Sequence, residues 1–428
     1  MLMKLERLRY FAGLLVLVAA ATTDVPAQQP PAAAKIDLDQ AIQLALKHNH
    51  VLKAARTQIQ QSQADEITAS LRPNPVLTWD ALFLPFFSPS QFNKDYLNNI
   101  TEFDAAVAFT IERGHKRQAR VQAARDQTAV QRSLVSDDER TLTFNVAQQF
   151  LGALLAKSTL DFAQQDLASF QQTVDVSESQ YKAGAISEGD LLKIKLQLLQ
   201  FQSDVSNAKL QLVQAKAGLR ELMGYDAVPA DYDLIGELAY KPLHMNKEDF
   251  QLMALKQRPD FIAAQQSIVA AQSQYKLAKA NGKRDLTASA GYTRLANANN
   301  ASFIFNIEIP VFDRNQGEIA RAHYGITQSE EAKTAAEQTV MTDVATAYET
   351  VKTGTSIIQL YESGYLKQAA DSRDISEYAY KRGAASLLDF LDAERSYRSV
   401  GLAYRQALAT YMLALEELRE AVGTRSLP

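Results

Sequence analysis

Residues 181–192 read YKAGAISEGDLL, and residues 380–391 read YKRGAASLLDFL. The two stretches align without a gap at an offset of 199 residues, so that Tyr181 matches Tyr380 and Asp190 matches Asp389. A repeated block of this kind indicates an internal duplication, and it is the feature of the sequence that decides the fold.

The two copies differ in length. Nearer the N-terminus the offset is 209, because Leu46 matches Leu255 and Ile59 matches Ile268. The first copy therefore contains about ten additional residues. We expect this insertion in the loop at residues 84–99.

The duplication and the composition of the connecting segments divide the chain into five parts. A proline-containing stretch separates the copies, and a polar stretch precedes the first copy. The parts are a signal peptide at residues 1–27, a leader at 28–35, a first repeat at 36–224, a linker at 225–245 and a second repeat at 246–424.

The N-terminus predicts export from the cytoplasm. Lys4, Arg7 and Arg9 precede an apolar run at residues 10–21, which is too short to span a bilayer as a helix. Either the alanines at 19–21 or residues 25–27 would suit cleavage. A buried N-terminal helix is the alternative. No later apolar run approaches ~20 residues, so the mature chain is expected to contain no spanning helix.

Both copies continue from the matched block into heptad patterns. Apolar residues recur at steps of three and four from Leu191 to Leu222 and from Phe390 to Ala421. The segment before the first block, residues 160–181, follows the same rule. Each repeat is therefore predicted to end in an antiparallel, coiled-coil hairpin of helices.

The matched blocks also carry the signals of a turn between two helices. Gly184 and Gly383 suit helix C-termini. Ser187 with Asp190, and Ser386 with Asp389, predict capping boxes for the returning helices. Residues 116–181 contain no proline and one glycine, so a continuous helix there would be roughly 100 Å long.

Four other segments alternate between apolar and polar residues with a period of two. Strands of this kind are typical of transmembrane β-barrels, and a soluble sandwich is the alternative. The segments are residues 76–83, 102–112, 286–293 and 303–311.

Four strands cannot form a lipid-facing barrel, because open edges are not tolerated in hydrocarbon. A dimer would supply eight strands and a trimer twelve. Side chains fill an eight-stranded barrel, so a conducting pore favours twelve. We therefore predict a mainly helical chain that contributes four strands to a twelve-stranded trimeric barrel and two long hairpins to a periplasmic α-barrel.

The composition excludes several classes of function. The net charge of −4 gives no basic footprint for nucleic acid, and the absence of cysteine removes thiolate chemistry and acylation of a cysteine. No HExxH, GxGxxG or P-loop pattern occurs, so we predict no enzyme and no cofactor. His48 and His50 would lie ~200° apart on a helix and could not chelate a metal together.

Acidic residues on or next to the predicted strands are expected to face water inside the channel. They would weakly favour cations, which fits metal efflux and also suits cationic drugs. These lumen-facing acids are Asp80, Glu102, Asp104, Glu112 and Glu308.

The duplicated Y-x-x-G-x-x-S-x-x-D block and the strand placement resemble the TolC-like outer-membrane efflux proteins over nearly all of residues 36–424. Residues 111–120, IERGHKRQAR, and residues 310–321, PVFDRNQGEIAR, are similar to motifs of the cobalt-zinc-cadmium branch of that family. Many relatives carry a lipidated N-terminal cysteine, and the sequence predicts no such anchor.

The resemblance implies a homotrimer in the outer membrane that docks to a periplasmic adaptor and to an inner-membrane pump of the RND type. Asp389 and Asp392 match the D-x-x-D-A at the periplasmic aperture in TolC, although Asp389 could equally serve as a helix cap. No basic residue lies between Gly383 and Asp389, where TolC has one that helps to close the gate. The expected adaptor-docking tips are Gly184, Ala185, Ser187, Gly383, Ala384 and Ser386.

Several functions remain compatible with this sequence. We predict the passive exit duct of a tripartite efflux pump, with heavy-metal cations as one class of substrate. A multidrug pump or a type I protein secretion system would use the same fold. A structural periplasmic coiled coil would not need the strands, and a surface enzyme would need motifs that are missing.

Overall fold

The computed structural model describes residues 34–243 and 246–427. The predicted signal peptide lies outside the described residues, as does the leader up to residue 33. Lys35, which the prediction placed in the leader, lies in a short strand.

The first repeat combines helices with strands of the main sheet. Its elements are β1 (Lys35–Ile36), α1 (Leu38–His48), α2 (His50–Ser70), β2 (Val76–Leu82), α3 (Lys94–Asn99), β3 (Glu102–Ile111), α4 (Lys116–Lys182) and α5 (Glu188–Met223).

The second repeat follows a linker that contains β4 (Asp233–Leu234), which pairs with β1 in parallel. A π-helical turn (Tyr361–Tyr365) separates two of its helices. Its elements are α6 (Lys247–Gln257), α7 (Pro259–Asn281), β5 (Leu286–Leu295), β6 (Ala298–Ile307), α8 (Gln316–Leu360), α9 (Leu366–Lys381) and α10 (Leu387–Val422).

The two repeats share one order of elements. Helices α1 and α6 each have 11 residues, and α5 and α10 each have 36. Residues 83–101 join β2 to β3, whereas residues 296–297 join β5 to β6, so the additional residues lie in the loop where we expected them.

The long outgoing helices differ between the repeats. Helix α4 is continuous over 67 residues, which corresponds to roughly 100 Å. Its counterpart is interrupted by the π-helical turn, where Gly364 has a φ of 135°. A φ in this region strains any residue with a Cβ, so glycine permits the interruption.

The predicted hairpin turns are confirmed. Gly184 and Gly383 have φ of 74° and 72°. In each turn the glycine N–H donates to the tyrosine carbonyl three residues earlier, and the next N–H closes a 6→1 bond, as in a Schellman motif. Ser386 and Asp389 form the full capping box, whereas Ser187 accepts from the Asp190 N–H without the reciprocal backbone bond.

The main sheet is antiparallel, in the order β2-β3-β5-β6. Its register places the predicted apolar residues on one face, since Leu77 opposes Val107, Val107 opposes Ala290, and Ala290 opposes Phe303. Large side chains on this face are exposed, with Trp79 at 69% and Phe303 at 74%. The outer edges of β2 and β6 have no partner strand in the described chain.

The predicted limits of the last strand were wrong. β6 spans Ala298–Ile307, whereas the alternation at residues 303–311 placed it later. The pattern continues past Ile307 through Glu308, Ile309 and Pro310, but these residues have no strand partner. The alternation of apolar and polar residues therefore extends beyond the hydrogen-bonded part of the strand.

Three apolar clusters stabilise the helical part. One joins α1, α4 and α5 to the linker, a second joins α6, α8 and α10, and a third lies near the hairpin turns around Phe170, Phe201 and Phe390. Within the described residues no helix is both long enough and apolar enough to cross a membrane.

Candidate functional site

The two hairpin turns lie side by side at one end of the molecule. All six predicted tip residues are exposed, and a cavity of about 820 Å³ lies between the turns, with Ala185, Ser187, Gly383 and Ser386 among its lining residues. Leu388 beside it is 75% exposed. The structure thus brings the two predicted docking tips of one chain together into a single concave surface.

Helices α4 and α9 are joined just above these turns. Thr173 Oγ1 donates to Glu377 Oε1 at 3.0 Å, and the Ser177 and Tyr380 hydroxyls lie 3.3 Å apart. Gln180 Nε2 donates to the backbone carbonyl of residue 381 at 3.0 Å. These bonds hold the first-repeat hairpin against the second.

The two predicted aperture carboxylates are exposed and lie one turn apart at the start of α10. Asp389 accepts hydrogen bonds from the Ser386 N–H and hydroxyl, so it takes part in the helix cap as predicted. Asp392 pairs with Arg395 at 3.3 Å, and both side chains are more than 70% exposed. An exposed pair of this kind is worth at most about 1 kcal/mol, so Arg395 holds Asp392 only weakly.

Two of the acids that were predicted to face the lumen lie directly opposite each other. Asp80 on β2 pairs in register with Asp104 on β3, on the face away from Trp79. One carboxylate oxygen of each is buried without a hydrogen-bond partner among the described residues. Like charges at opposed positions repel, so this pair is costly to the sheet. Glu102 lies at the end of β3, opposite Leu82.

The other two acids lie just past the strands and are paired with arginine. Glu112 Oε1 accepts from Arg120 Nη1 at 2.7 Å, and Glu308 lies 3.3 Å from Arg284. Both therefore sit at the junction between the sheet and the long helices, with much of their charge compensated.

The IERGHKRQAR motif builds the junction between β3 and α4. Gly114 has a φ of 73°, and a Cβ there would lie 2.5 Å from Lys283. Lys116 pairs with Asp285 at 2.9 Å, and Arg120 donates to the carbonyls of residues 69 and 71. The motif residues therefore fix the angle at which the helix leaves the sheet.

The PVFDRNQGEIAR motif builds the equivalent junction of the second repeat. Asn315 has a φ of 63° and immediately precedes α8, as His115 at 60° precedes α4. Asn315 Nδ2 donates to the Ala278 carbonyl at 2.8 Å, and Asp313 accepts from the Asn315 N–H. The residues of both motifs are therefore explained by their structural role at these two junctions, without reference to a substrate.

His48 ends α1 and His50 begins α2, so the two histidines do not share one helix, as the prediction assumed. Asn49, between His48 and His50, is a buried N-cap that accepts from the Leu52 N–H and donates to the Leu222 carbonyl. The described residues include no group of three or more potential ligands that could hold a metal ion.

Helix α10 packs on α4 of the same chain through one face. Gly401 lies against Phe162, where a Cβ would come within 2.8 Å of the ring. Arg405 stacks on the same ring at 4.0 Å, and Arg398 donates to Asp166 Oδ2 at 3.2 Å. We call this contact the α4–α10 seam.

The equivalent face of α5 has no partner among the described residues. At the 199-residue offset between the repeats, Leu199 of α5 corresponds to Arg398 of α10. The face of α5 that contains Leu199 consists of apolar and small residues, which recur at steps of three and four. All of them are exposed, and we call this surface the α5 outer face: Leu192, Leu196, Leu199, Ser203, Ser206, Leu210, Val213 and Ala217.

Sequence reasoning missed the buried charges of the α4–α10 seam. Asp166 is 4% exposed and Glu394 7%, and Arg398 also donates to Asp204 on α5 at 2.6 Å. One signal was available: at the 199-residue offset, Arg398 replaces a leucine of the first repeat. A change from apolar to charged between duplicated positions indicates that their surroundings differ.

One face of the sheet is apolar and exposed, and the sheet is joined to a helix of roughly 100 Å. The family model "Outer membrane efflux protein" matches residues 41–225 and 252–424. The chain belongs to the outer membrane efflux protein family, as the sequence resemblance predicted.

Proteins whose names state different roles are similar to this chain. The cobalt-zinc-cadmium resistance protein CzcC of Cupriavidus metallidurans is 23% identical and covers 92% of this chain and 91% of its own length. The pyoverdine export outer membrane protein OpmQ of Pseudomonas putida is 24% identical, with coverage of 84% and 80%. A solved structure of CusC has a TM-score of 0.73 at 22% identity, covering 90% of this chain and 92% of that one.

Proposed function

We propose that this protein is the outer-membrane exit duct of a tripartite efflux pump. The observation that carries the proposal is the separation of two surfaces: the exposed apolar face of the sheet at one end and the paired hairpin turns at the other. A passive conduit of this shape works by geometry and wall charge and needs no catalytic residue.

Two features of the single chain have no partner among the described residues: the edges of the main sheet and the α5 outer face. A homotrimer would supply a partner for both. Pairing β2 of one chain with β6 of the next closes twelve strands and removes the open edges. The α5 outer face would then pack on the exposed apolar residues of the neighbour's second repeat, which include Leu360, Tyr365 and Ile375. Burying a leucine contributes about 1.5–3 kcal/mol, so this interface would be stable.

The predicted signal peptide, the exposed apolar face of the strands and the long hairpins support a location in the outer membrane with the hairpins in the periplasm. The cavity between the turns supports docking of a periplasmic adaptor, which would link the duct to an inner-membrane pump of the RND type. The two repeats at residues 36–224 and 246–424 would alternate around the threefold axis.

The aperture of the trimer would gather six carboxylates from Asp389 and Asp392. Like charges at ~4 Å repel by about 4 kcal/mol per pair at an effective dielectric constant of ~20, so the ring would bind cations or keep the tip easily opened. Asp80, Glu102 and Asp104 would add negative charge to the wall of the barrel. These features support cation export, and the similarity to CzcC supports heavy metals as substrates.

The proposal is tested with purified protein in planar lipid bilayers. A cross-linked trimer that conducts ions, and whose current is blocked by divalent cations added on the hairpin side, is the expected result. Replacing Asp389 and Asp392 with asparagine should remove the block and leave the trimer intact, whereas Glu349→Gln on the exposed side of α8 should change neither. A folded monomer in aqueous buffer would refute the duct.

The substrate is tested in cells that also express a periplasmic adaptor and an inner-membrane pump with which the duct assembles. Deletion of the duct should increase sensitivity to cobalt, zinc and cadmium. Sensitivity to organic drugs or siderophores alone would contradict the metal substrate while leaving the duct in place. Loss of a secreted polypeptide would indicate type I secretion.

A further inference from the structure

Each strand of the main sheet has an exposed basic residue just beyond its end nearest the long helices. Arg72 precedes β2, Arg113 follows β3, Lys283 precedes β5 and Arg314 follows β6. We call these four residues the basic belt. Because neighbouring strands lie about 4.7–4.9 Å apart, the order β2-β3-β5-β6 places the four cations in one row along the base of the sheet.

Close contacts show that neighbouring members of the belt lie side by side. A Cβ at Gly114, next to Arg113, would lie 2.5 Å from the side chain of Lys283. A Cβ at Gly282, next to Lys283, would lie 2.8 Å from the carbonyl oxygen of Arg314. The carbonyl just before Arg72 accepts a hydrogen bond of 2.9 Å from a side chain in the second turn of α4. The belt is therefore one continuous surface.

The carboxylates at this level of the molecule are paired with other basic residues, so the belt keeps its charge. The pairs are Glu112 with Arg120, Asp285 with Lys116, Glu308 and Asp313 with Arg284, and Glu318 with Arg321. Within residues 34–243 and 246–427, no carboxylate lies within ion-pair distance of a belt residue.

The two ends of the sheet differ in net charge. Ten basic and five acidic residues lie just beyond the strands on the helix side, which gives a net charge of +5. The two loops at the opposite end contain one lysine and one aspartate, so their net charge is zero. These charges are counted over residues 70–75, 111–121, 279–285 and 308–321 on the helix side and over residues 83–101 and 296–297 at the opposite end. A ligand of the belt should therefore be anionic.

Exposed apolar side chains border the belt on the side of the strands. Ile111 and Ile307, at the ends of β3 and β6, are half exposed, and Phe312 beyond β6 is 91% exposed. A lipid leaflet presents matching chemistry in the same order, with acyl chains first and phosphate groups at the boundary with water. An acidic protein would match only the charge. Continuity with the apolar face therefore favours a lipid.

We propose that the basic belt binds the phosphate groups of anionic phospholipids in the leaflet that faces the hairpins. Arginine suits this role, since its planar guanidinium can donate two parallel hydrogen bonds to one phosphate. A zwitterionic headgroup carries its own cation and should bind more weakly. The inference rests on the proposed duct and identifies the class of lipid that surrounds it.

The test measures the melting temperature of the purified trimer in uncharged detergent with added dioleoyl phosphatidylglycerol or dioleoyl phosphatidylcholine. A lipid that binds only the folded trimer raises this temperature, and the dependence on lipid concentration gives the affinity. The anionic lipid should raise the melting temperature more than the zwitterionic lipid does. Salt at about 0.5 M should reduce the difference, because it screens exposed charges.

A variant without the belt charges tests the assignment of the residues. It carries Arg72→Gln, Arg113→Gln, Lys283→Gln and Arg314→Gln. Each basic residue near an anionic surface contributes about fivefold to affinity, so this belt variant should bind the anionic lipid on the order of a hundredfold more weakly. The matched control removes the same charge from exposed positions of the helices and should respond as the parent: Lys47→Gln, Lys53→Gln, Lys256→Gln and Lys367→Gln.

Equal stabilisation of the parent by the two lipids would overturn the proposal, as would a belt variant that still prefers the anionic lipid. If the belt variant does not assemble, Lys283→Gln alone decides: it should weaken binding of the anionic lipid about fivefold, and an unchanged affinity would contradict the belt. A parent that forms no trimer would contradict the duct itself, whereas a trimer without lipid preference contradicts only the belt.

Discussion

Helices α5 and α10 have the same length, the same kind of cap and the same heptad seam, yet their second faces differ in chemistry. The α10 face packs on α4 of its own chain through Gly401, Arg398 and Arg405. The α5 outer face is apolar and exposed in the single chain. The two duplicated helices therefore differ in whether the described chain covers this face.

The difference indicates which contacts belong to one chain and which belong to the assembly. An apolar face suits a permanent interface between the subunits of the proposed trimer, because it would stay buried once they assemble. A charged face is covered within the chain only where its ions are paired, as Arg398 is with Asp166. We therefore expect the α5 outer face to hold the subunits of the proposed trimer together.

The largest expected effect concerns the α5 outer face. Leu196→Glu together with Leu199→Glu should abolish the trimer, because each chain would bury two unpaired charges at the interface. Cross-linking in detergent gives the measurement. As the matched control, Gln202→Glu with Lys209→Glu changes exposed residues beside this face and should leave the trimer intact. Trimers in both double variants would show that the subunits meet elsewhere.

A smaller effect is expected from Gly401. Gly401→Val would place carbon atoms against Phe162, and overpacking of this kind lowers the free energy of unfolding by about 1–3 kcal/mol. The melting temperature should fall while the trimer persists. The equivalent position of the first repeat, Gln202, is exposed, so Gln202→Val should have little effect. Similar melting temperatures for the two variants would remove the distinction between the faces.

The smallest expected effect is a difference in stability between the two hairpin turns. Ser386→Ala removes the hydroxyl of a complete capping box and should cost about 1 kcal/mol. Ser187→Ala removes a single cap bond and should cost less. Amide exchange in the first turns of α10 and α5 would report the difference. Equal acceleration in both helices would show that the reciprocal bond of Asp389 contributes nothing.

Local signals in the sequence predicted much of this architecture. The turns could be predicted because glycine at positive φ and a serine cap act within a few residues. The strand faces could be predicted from alternation, but the limits of β6 could not, because the ladder depends on β5 and the pattern at residues 303–311 continues beyond it.

The buried charges could not be predicted, because Asp166 and Arg398 are 232 residues apart and meet only through packing. The arginine that pairs with Glu308 shows the same limit. A carboxylate next to a strand was expected to face water, whereas a tertiary contact gave Glu308 the basic partner Arg284. The surroundings of an ionisable group depend on distant elements, and the sequence reports only near neighbours.

Paired cysteines test the central claim most directly, since the chain has no cysteine of its own. Leu199→Cys with Tyr365→Cys joins the α5 outer face to the second repeat, and Asp166→Cys with Arg398→Cys joins the equivalent positions of the α4–α10 seam. With a short thiol-reactive cross-linker, the first pair should give a covalent trimer and the second only an internally linked monomer. A monomer from the first pair, or a trimer from the second, would contradict the account.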